Sequence, residues 1–256
     1  MLLQMNRALS DNYHSKSQIA RVITESWMAQ NMFCPNCGAE SLEQFANNSA
    51  VADFHCIQCI EEYELKSKHA LPTSKIVDGQ YDTMIKRLNS QNNPSLFFLH
   101  YNQNLEVENL FATPKYFFTS EIIEKRPPLA LTAKRAGWIG CNILFSQIPQ
   151  DGKIAIIKNS REVNKKDILR QWQKTSFLSS DISLNSRGWI IDVLKVIEAM
   201  AKSEFSIQDI YKFEIVLQMK HPKNNNIQAK IRQQLQLLRD KNYLSFSGNG
   251  KYTINK

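Results

Sequence analysis

Two Cys-x-x-Cys pairs, Cys34-Pro35-Asn36-Cys37 and Cys56-Ile57-Gln58-Cys59, stand eighteen residues apart. That is the spacing of a structural zinc site, closed by four thiolates with no open coordination position for chemistry. Zinc bound there would act as a staple. The alternative is four free or disulfide-bonded cysteines. Disulfides fit poorly, because the chain opens Met-Leu-Leu-Gln-Met with no apolar signal segment and has the composition of a cytosolic protein. A fifth cysteine, Cys141, sits among apolar residues and is expected to be a small buried hydrophobe.

A carboxylate lies inside this cysteine framework and another follows it. Asp53 precedes the second pair by three residues, and Glu64-Leu65-Lys66 begins five residues after it. If the second pair turns the chain, Ala50–His55 and Glu61–Lys66 form two antiparallel strands. Alternation then puts Glu62, Glu64 and Lys66 on one face, with Asp53 opposite them to within a residue or two. Facing carboxylates repel unless a divalent cation lies between them, and Mg²⁺ takes one or two carboxylates plus water and phosphate oxygens. A lysine beside such a pair can position or deprotonate an attacking water. Taken alone, an Asp followed eleven residues later by Glu-x-Lys is common by chance, and a solvated, charge-paired strand explains it. Its place on a zinc-stapled hairpin is what points to chemistry. Glu25, in the helical run Ile19–Gln30, is a weaker candidate for an auxiliary acid, since an exposed helix face explains it as well.

The chain that must position these groups has 256 residues, 43% hydrophobic, enough for a sizeable core and two domains. We expect a catalytic domain over 1–182 and a smaller one over 183–256, with the boundary in serine-rich Ser176–Ser186. Leu96–Tyr101 and Ile154–Ile157 read as buried strands, and Gln18–Gln30 and Tyr81–Asn89 as helices, which predicts a mixed α/β core. Beyond the boundary, Arg187–Met200, Ser206–Met219 and Asn226–Lys241 read as three helices. Tyr243–Phe246 and Lys251–Ile254 then form a hairpin, completing the outline of a winged helix. In the third helix Ile227, Ile231, Leu235 and Leu238 make an inward stripe, leaving Gln228, Arg232, Gln233, Gln236 and Arg239 outward. Such a face suits major-groove reading, Gln for adenine and Arg for guanine, though a solvated surface uses the same residues. From Ser183 onward twelve Lys or Arg stand against six Asp or Glu, so this part carries +6 of the total +8. It is the expected anchor on phosphate. No apolar run reaches the eighteen residues of a membrane span. No protein partner is implied, and a monomer in the cytoplasm is expected.

The Asp53, Glu64, Lys66 set resembles the PD-(D/E)-x-K nucleases, with Ala52 in place of the proline. More specific runs are Phe33–Gly38, Val51–Phe54, Tyr63–Lys68, Lys134–Asn142 and Lys230–Gln236. In type and order they resemble the DpnI-type methyl-directed restriction endonucleases, while His69–Lys75 and Ser179–Ser186 depart from them. The resemblance implies a bacterial enzyme that cuts double-stranded DNA at GATC when the adenine carries an N6-methyl group. It further implies Asp53, Glu64 and Lys66 as the catalytic set with Mg²⁺, zinc on the four cysteines, and Trp138 against the methyl groups. By itself Trp138 reads equally as core packing, and Lys134 and Arg135 as phosphate contacts or a surface pair. Two other readings remain: a nuclease with a different target, or a zinc-ribbon winged-helix regulator that binds DNA without cutting and needs none of the three catalytic groups.

Overall fold

The computed structural model describes residues 1–46, 52–70, 74–90, 93–179 and 182–255. Ala50 and Val51, at the front of the expected first strand, lie outside the described residues, as do 71–73 of the His69–Lys75 loop and 180–181 of the boundary segment. The chain divides into two compact units, Met1–Gln173 and Lys174–Lys256. No helix among the described residues is long and apolar enough to cross a membrane.

The first unit runs α1 (Lys16–Asn31), β1 (Glu43–Gln44), β2 (Phe54–His55), β3 (Glu62–Lys68), β4 (Ile76–Gln80), α2 (Tyr81–Asn89), β5 (Ser95–Tyr101), β6 (Val107–Thr113), β7 (Ile123–Lys125), β8 (Gly140–Ile143), β9 (Ile154–Lys158), β10 (Arg161–Glu162) and α3 (Lys165–Lys174). Seven strands form one sheet in the order β1-β2-β3-β5-β6-β9-β10, and β4-β8-β7 form a second. In the large sheet β3 and β5 are parallel, and the other pairs are antiparallel. Every residue of β5 is buried, the polar Ser95 and His100 included, as befits a strand covered on both faces. Phe97, Leu99 and Tyr101 join the core with Ile23, Trp27 and Met28 of α1 and Ile168 and Trp172 of α3. Phe98 turns the other way, toward Phe145 at 6.0 Å between ring centroids. The cysteine hairpin therefore abuts a fully buried central strand through the β3–β5 pairing.

The second unit contains α4 (Leu184–Ala199), β11 (Glu204–Ser206), α5 (Ile207–Tyr211), α6 (Glu214–Lys220), α7 (Ile227–Asp240), β12 (Leu244–Phe246) and β13 (Lys251–Ile254). The single helix expected over Ser206–Met219 is two. A capping box between Ser206 and Asp209 starts α5, and the ladder stops at Lys212 and Phe213 before α6 resumes. Lys212 keeps helical angles, φ −59 and ψ −20, while Phe213 departs from them at φ −97 and ψ 10, so the break is confined to one residue. The closing hairpin gains a third strand, because β11 pairs with β13 on the side away from β12.

Candidate active site and metal centre

The four cysteine sulfurs lie within 4.8 Å of one another. Cys34 Sγ is 3.5 Å from Cys59 Sγ, and Cys37 Sγ is 3.6 Å from Cys56 Sγ. A zinc–sulfur bond of about 2.3 Å in a tetrahedron puts sulfurs about 3.8 Å apart, so the cluster is compatible with a zinc site. Both pairs close by the same turn: Gly38 N donates to Cys34 O at 2.8 Å, and Ile60 N to Cys56 O at 2.9 Å. The turn needs a left-handed residue, which is Gly38 (φ 85) in the first and Ile60 (φ 60) in the second. Burial works against ionising Cys56, but the backbone amides of Cys59 and Gln58, together with the Cys37 and Cys59 thiols, outweigh it and lower its pKa. Outside the thiols, Asn36 Nδ2 donates to Cys59 Sγ at 3.3 Å, and the Tyr63 hydroxyl lies 3.1 Å from Cys34 Sγ. Tyr63 is wholly buried on β3 and stacks on Phe97 at 4.6 Å, so one residue joins the thiol cluster to the strand bearing Glu64.

The hairpin pairs Phe54 with Tyr63 and His55 with Glu62. One step further the Asp53 backbone N–H still donates to Tyr63 O at 2.9 Å, while its side-chain Oδ2 accepts from Leu65 N at 2.6 Å. The side chain thus takes the place of a backbone acceptor, which fixes one carboxylate oxygen and the strand at once. Lys66 Nζ lies 2.6 Å from Glu64 Oε1 and 2.6 Å from Asp78 Oδ1. Burial, together with the negative charges of Asp78 and Asp53, pushes the Glu64 carboxyl above its usual range against the pull of Lys66. Burial alone would lower the Lys66 ammonium, but Glu64 and Asp78 overcome it and hold Lys66 protonated. Glu64 feels the charge of Asp53 and has a raised pKa, a repulsion that a divalent cation would relieve, and Mg²⁺ needs no more protein ligands than these two carboxylates.

Glu25 is not on an exposed face. It is 8% exposed, accepts from Gln44 Nε2 at 2.8 Å and pairs with Arg21. Burial and then the charge of Asp53 raise its pKa, which places it beside the same cluster. Asp78 escaped the sequence reading altogether. The available signal was alternation, since Ile76 and Asp78 share the inward face of β4 while Val77 and Gly79 are exposed.

Trp138 is half-buried, two residues before β8. A Cβ added to Gly140 would come within 2.7 Å of its ring, and the Arg135 guanidinium lies 4.4 Å from the ring centroid. Arg135 is therefore a stacking partner of Trp138. Cys141 is fully buried as expected, its Sγ 3.5 Å from Gly79 O.

In the second unit Ile227, Ile231, Leu235 and Leu238 of α7 are buried, while Gln228, Arg232, Gln233, Gln236 and Arg239 are exposed. Arg232 Nη1 donates to the Tyr211 hydroxyl at 2.8 Å, and Gln233 Oε1 accepts from Lys230 Nζ at 2.8 Å. Gln234 is the exception to the outward polar pattern, buried with Oε1 lacking a partner among the described residues.

Residues 1–181 match the family model described as the Dam-replacing family, and residues 185–254 match that described as the Dam-replacing HTH domain.

Proposed function

Given that the chain belongs to the DpnI, or Dam-replacing, family, we propose that it is a methyl-directed restriction endonuclease cutting double-stranded GATC when the adenine carries an N6-methyl group. The supporting observation is the joining of Asp53, Glu64 and Lys66 on one cysteine-anchored hairpin, through Asp53 Oδ2 to Leu65 N and Lys66 Nζ to Glu64 Oε1. We assign these three as the catalytic set of a PD-(D/E)-x-K fold.

Asp53 and Glu64 are the residues that would hold Mg²⁺, which when bound supplies charge neutralisation at the phosphate and acidification of water. Glu64 keeps Lys66 charged and in place. Lys66, with two of its three N–H groups held by Glu64 and Asp78, orients the attacking water through the third. Attack of the water oxygen on phosphorus forms one P–O bond while the opposite ester P–O bond breaks. Lys66 is already protonated, so the attacking water releases its proton to solvent and the leaving oxygen takes one from a solvent water. Cys34, Cys37, Cys56 and Cys59 hold structural zinc and take no part in that step. Trp138 supplies an apolar surface for the methyl groups, about 1 kcal/mol per methyl buried.

The second unit is a winged helix whose α7 enters the major groove. Arg232, Gln233 and Gln236 are its candidate base or phosphate contacts. The excess of cationic residues there draws the unit to DNA. One chain carries both the cutting and the reading parts, consistent with a monomer acting in the bacterial cytoplasm.

The test is to incubate plasmid from adenine-methylating and non-methylating hosts with the protein and Mg²⁺. Fragments from methylated plasmid alone, ending at GATC, are expected. Cutting of both plasmids leaves a nuclease of another specificity. Binding without cutting leaves a regulator.

A further inference from the structure

Asp78 belongs to neither the hairpin nor the sheet that carries Glu64 and Lys66. It lies on β4 of the three-stranded sheet, with its side chain 3% exposed. Its Oδ1 lies 2.6 Å from Lys66 Nζ and accepts from Gly79 N at 2.7 Å. Its Oδ2 is buried without a hydrogen-bond partner among the described residues. A carboxylate buried to this degree needs a nearby cation, because desolvation is otherwise uncompensated, and that cation is Lys66. The backbone is shaped to make the contact. In the β4–β8 pairing Asp78 faces Cys141 and Gln80 faces Gly140, so the register slips at Gly79. Such bulges re-aim the adjoining side chain.

The Lys66 ammonium is therefore held from two sheets, by Glu64 within its own strand and by Asp78 across from it. Two of its three N–H groups are committed and the third is left for substrate. A lysine on a long flexible stem held at one point only would sweep a wide arc.

We propose that Asp78 is a positioning residue for DNA cleavage, fixing the one free N–H of the Lys66 ammonium toward the attacking water. The proposal rests on reading Asp53, Glu64 and Lys66 as the catalytic set. Asp78 itself touches no reacting atom and acts through Lys66.

The experiment measures single-turnover cleavage of a methylated GATC duplex by the full chain with Mg²⁺, the dissociation constant for the same duplex, and thermal unfolding. Asp78→Asn keeps the side-chain volume and an acceptor but loses the charge. A displacement of about 1 Å in a catalytic group costs on the order of 100-fold in rate. The expected result is thus a cleavage rate lowered about 10- to 100-fold with DNA affinity within about threefold of wild type. In a Lys66→Ala background, where nothing remains to be positioned, the same change should alter the residual rate by less than about threefold. A wild-type rate in Asp78→Asn, or an equal further loss in the Lys66→Ala background, overturns the proposal. If Asp78→Asn does not fold, Asp78→Ser is put through the same comparison with the same deciding outcomes. Full activity of Lys66→Ala would instead overturn the catalytic assignment beneath it, so the two failures are distinct.

Discussion

Replacing Asp53 by Asn and by Ala should separate chemistry from architecture, because the carboxylate serves both. Its Oδ2 is the acceptor for Leu65 N at 2.6 Å. Asp53→Ala removes that acceptor and leaves the amide unpaired, a loss of about 1–3 kcal/mol. For a unit the size of Met1–Gln173, each kcal/mol lowers the melting temperature by about 2–4 °C, so Ala should melt about 2–12 °C below wild type. Asn keeps an oxygen for Leu65 N and removes a charge that raises the pKa of both Glu64 and Glu25. Its melting temperature should match or slightly exceed that of the wild type. Both variants lose a carboxylate from the proposed divalent-cation site, which should cost roughly 4 kcal/mol at the transition state, or about 1,000-fold in rate. Scanning calorimetry and single-turnover cleavage of a methylated duplex give the two readouts. Cleavage by Asp53→Asn within tenfold of wild type would remove Asp53 from the chemistry. Equal melting of Asn and Ala would show that the bond to Leu65 does not support the hairpin.

Tyr63→Phe removes the hydroxyl beside Cys34 and should weaken zinc retention about 10- to 100-fold against a competing chelator, as loss of an outer hydrogen bond to a metal ligand does; unchanged retention refutes that role. Ile60 is left-handed and 81% exposed, so Ile60→Gly relieves about 1–2 kcal/mol of backbone strain against about 0.5–1 kcal/mol of glycine entropy, and thermal unfolding should rise by a few degrees; a fall contradicts the turn geometry. Gly140→Ala pushes a methyl into the Trp138 ring and should narrow the gap between cutting of methylated and unmethylated plasmid, whereas full discrimination detaches Trp138 from methyl sensing. Residues 174–256 alone should bind DNA with affinity falling steeply with salt, and Gln236→Ala should cost about 1–3 kcal/mol on the specific duplex if it contacts a base; salt-independent binding, or no loss in Gln236→Ala, rejects the corresponding half.

What the sequence disclosed was what local spacing dictates. Cys-x-x-Cys pairs bring their own turn, and the alternation of Glu62, Glu64 and Lys66 follows from strand geometry alone. The buried run of β5 and the apolar stripe of α7 are likewise periodic signals. Contacts between sheets were not legible. Lys66 meets Asp78 because a bulge on another sheet aims it there, and no periodicity in β3 announces that. Glu25 sits one residue from Thr24 and two from Trp27 on a helix whose apolar side is broad, so burial depended on what packed beside it. Strand β11 is Glu204-Phe205-Ser206, a single apolar residue between polar ones, and it is a strand only because β13, far along the chain, offers an open edge.

The locality of the hairpin has a consequence for synthesis of the chain. All four thiols, together with Asp53, Glu64 and Lys66, fall between residues 34 and 66, and the longest sulfur contact, Cys34 to Cys59, spans 25 positions. Loop-closure entropy rises only slowly over such distances, so the thiols can meet as soon as this stretch has emerged. Glu64 and Lys66 acquire their parallel neighbours, Leu96 and Phe98, only after some thirty further residues, about 1.5–6 s at a translation rate of about 5–20 residues per second. Zinc, if it is the ligand of these thiols, would thus have a head start on completion of the large sheet, because the four thiols leave the ribosome seconds before the central strand against which the carboxylates are set.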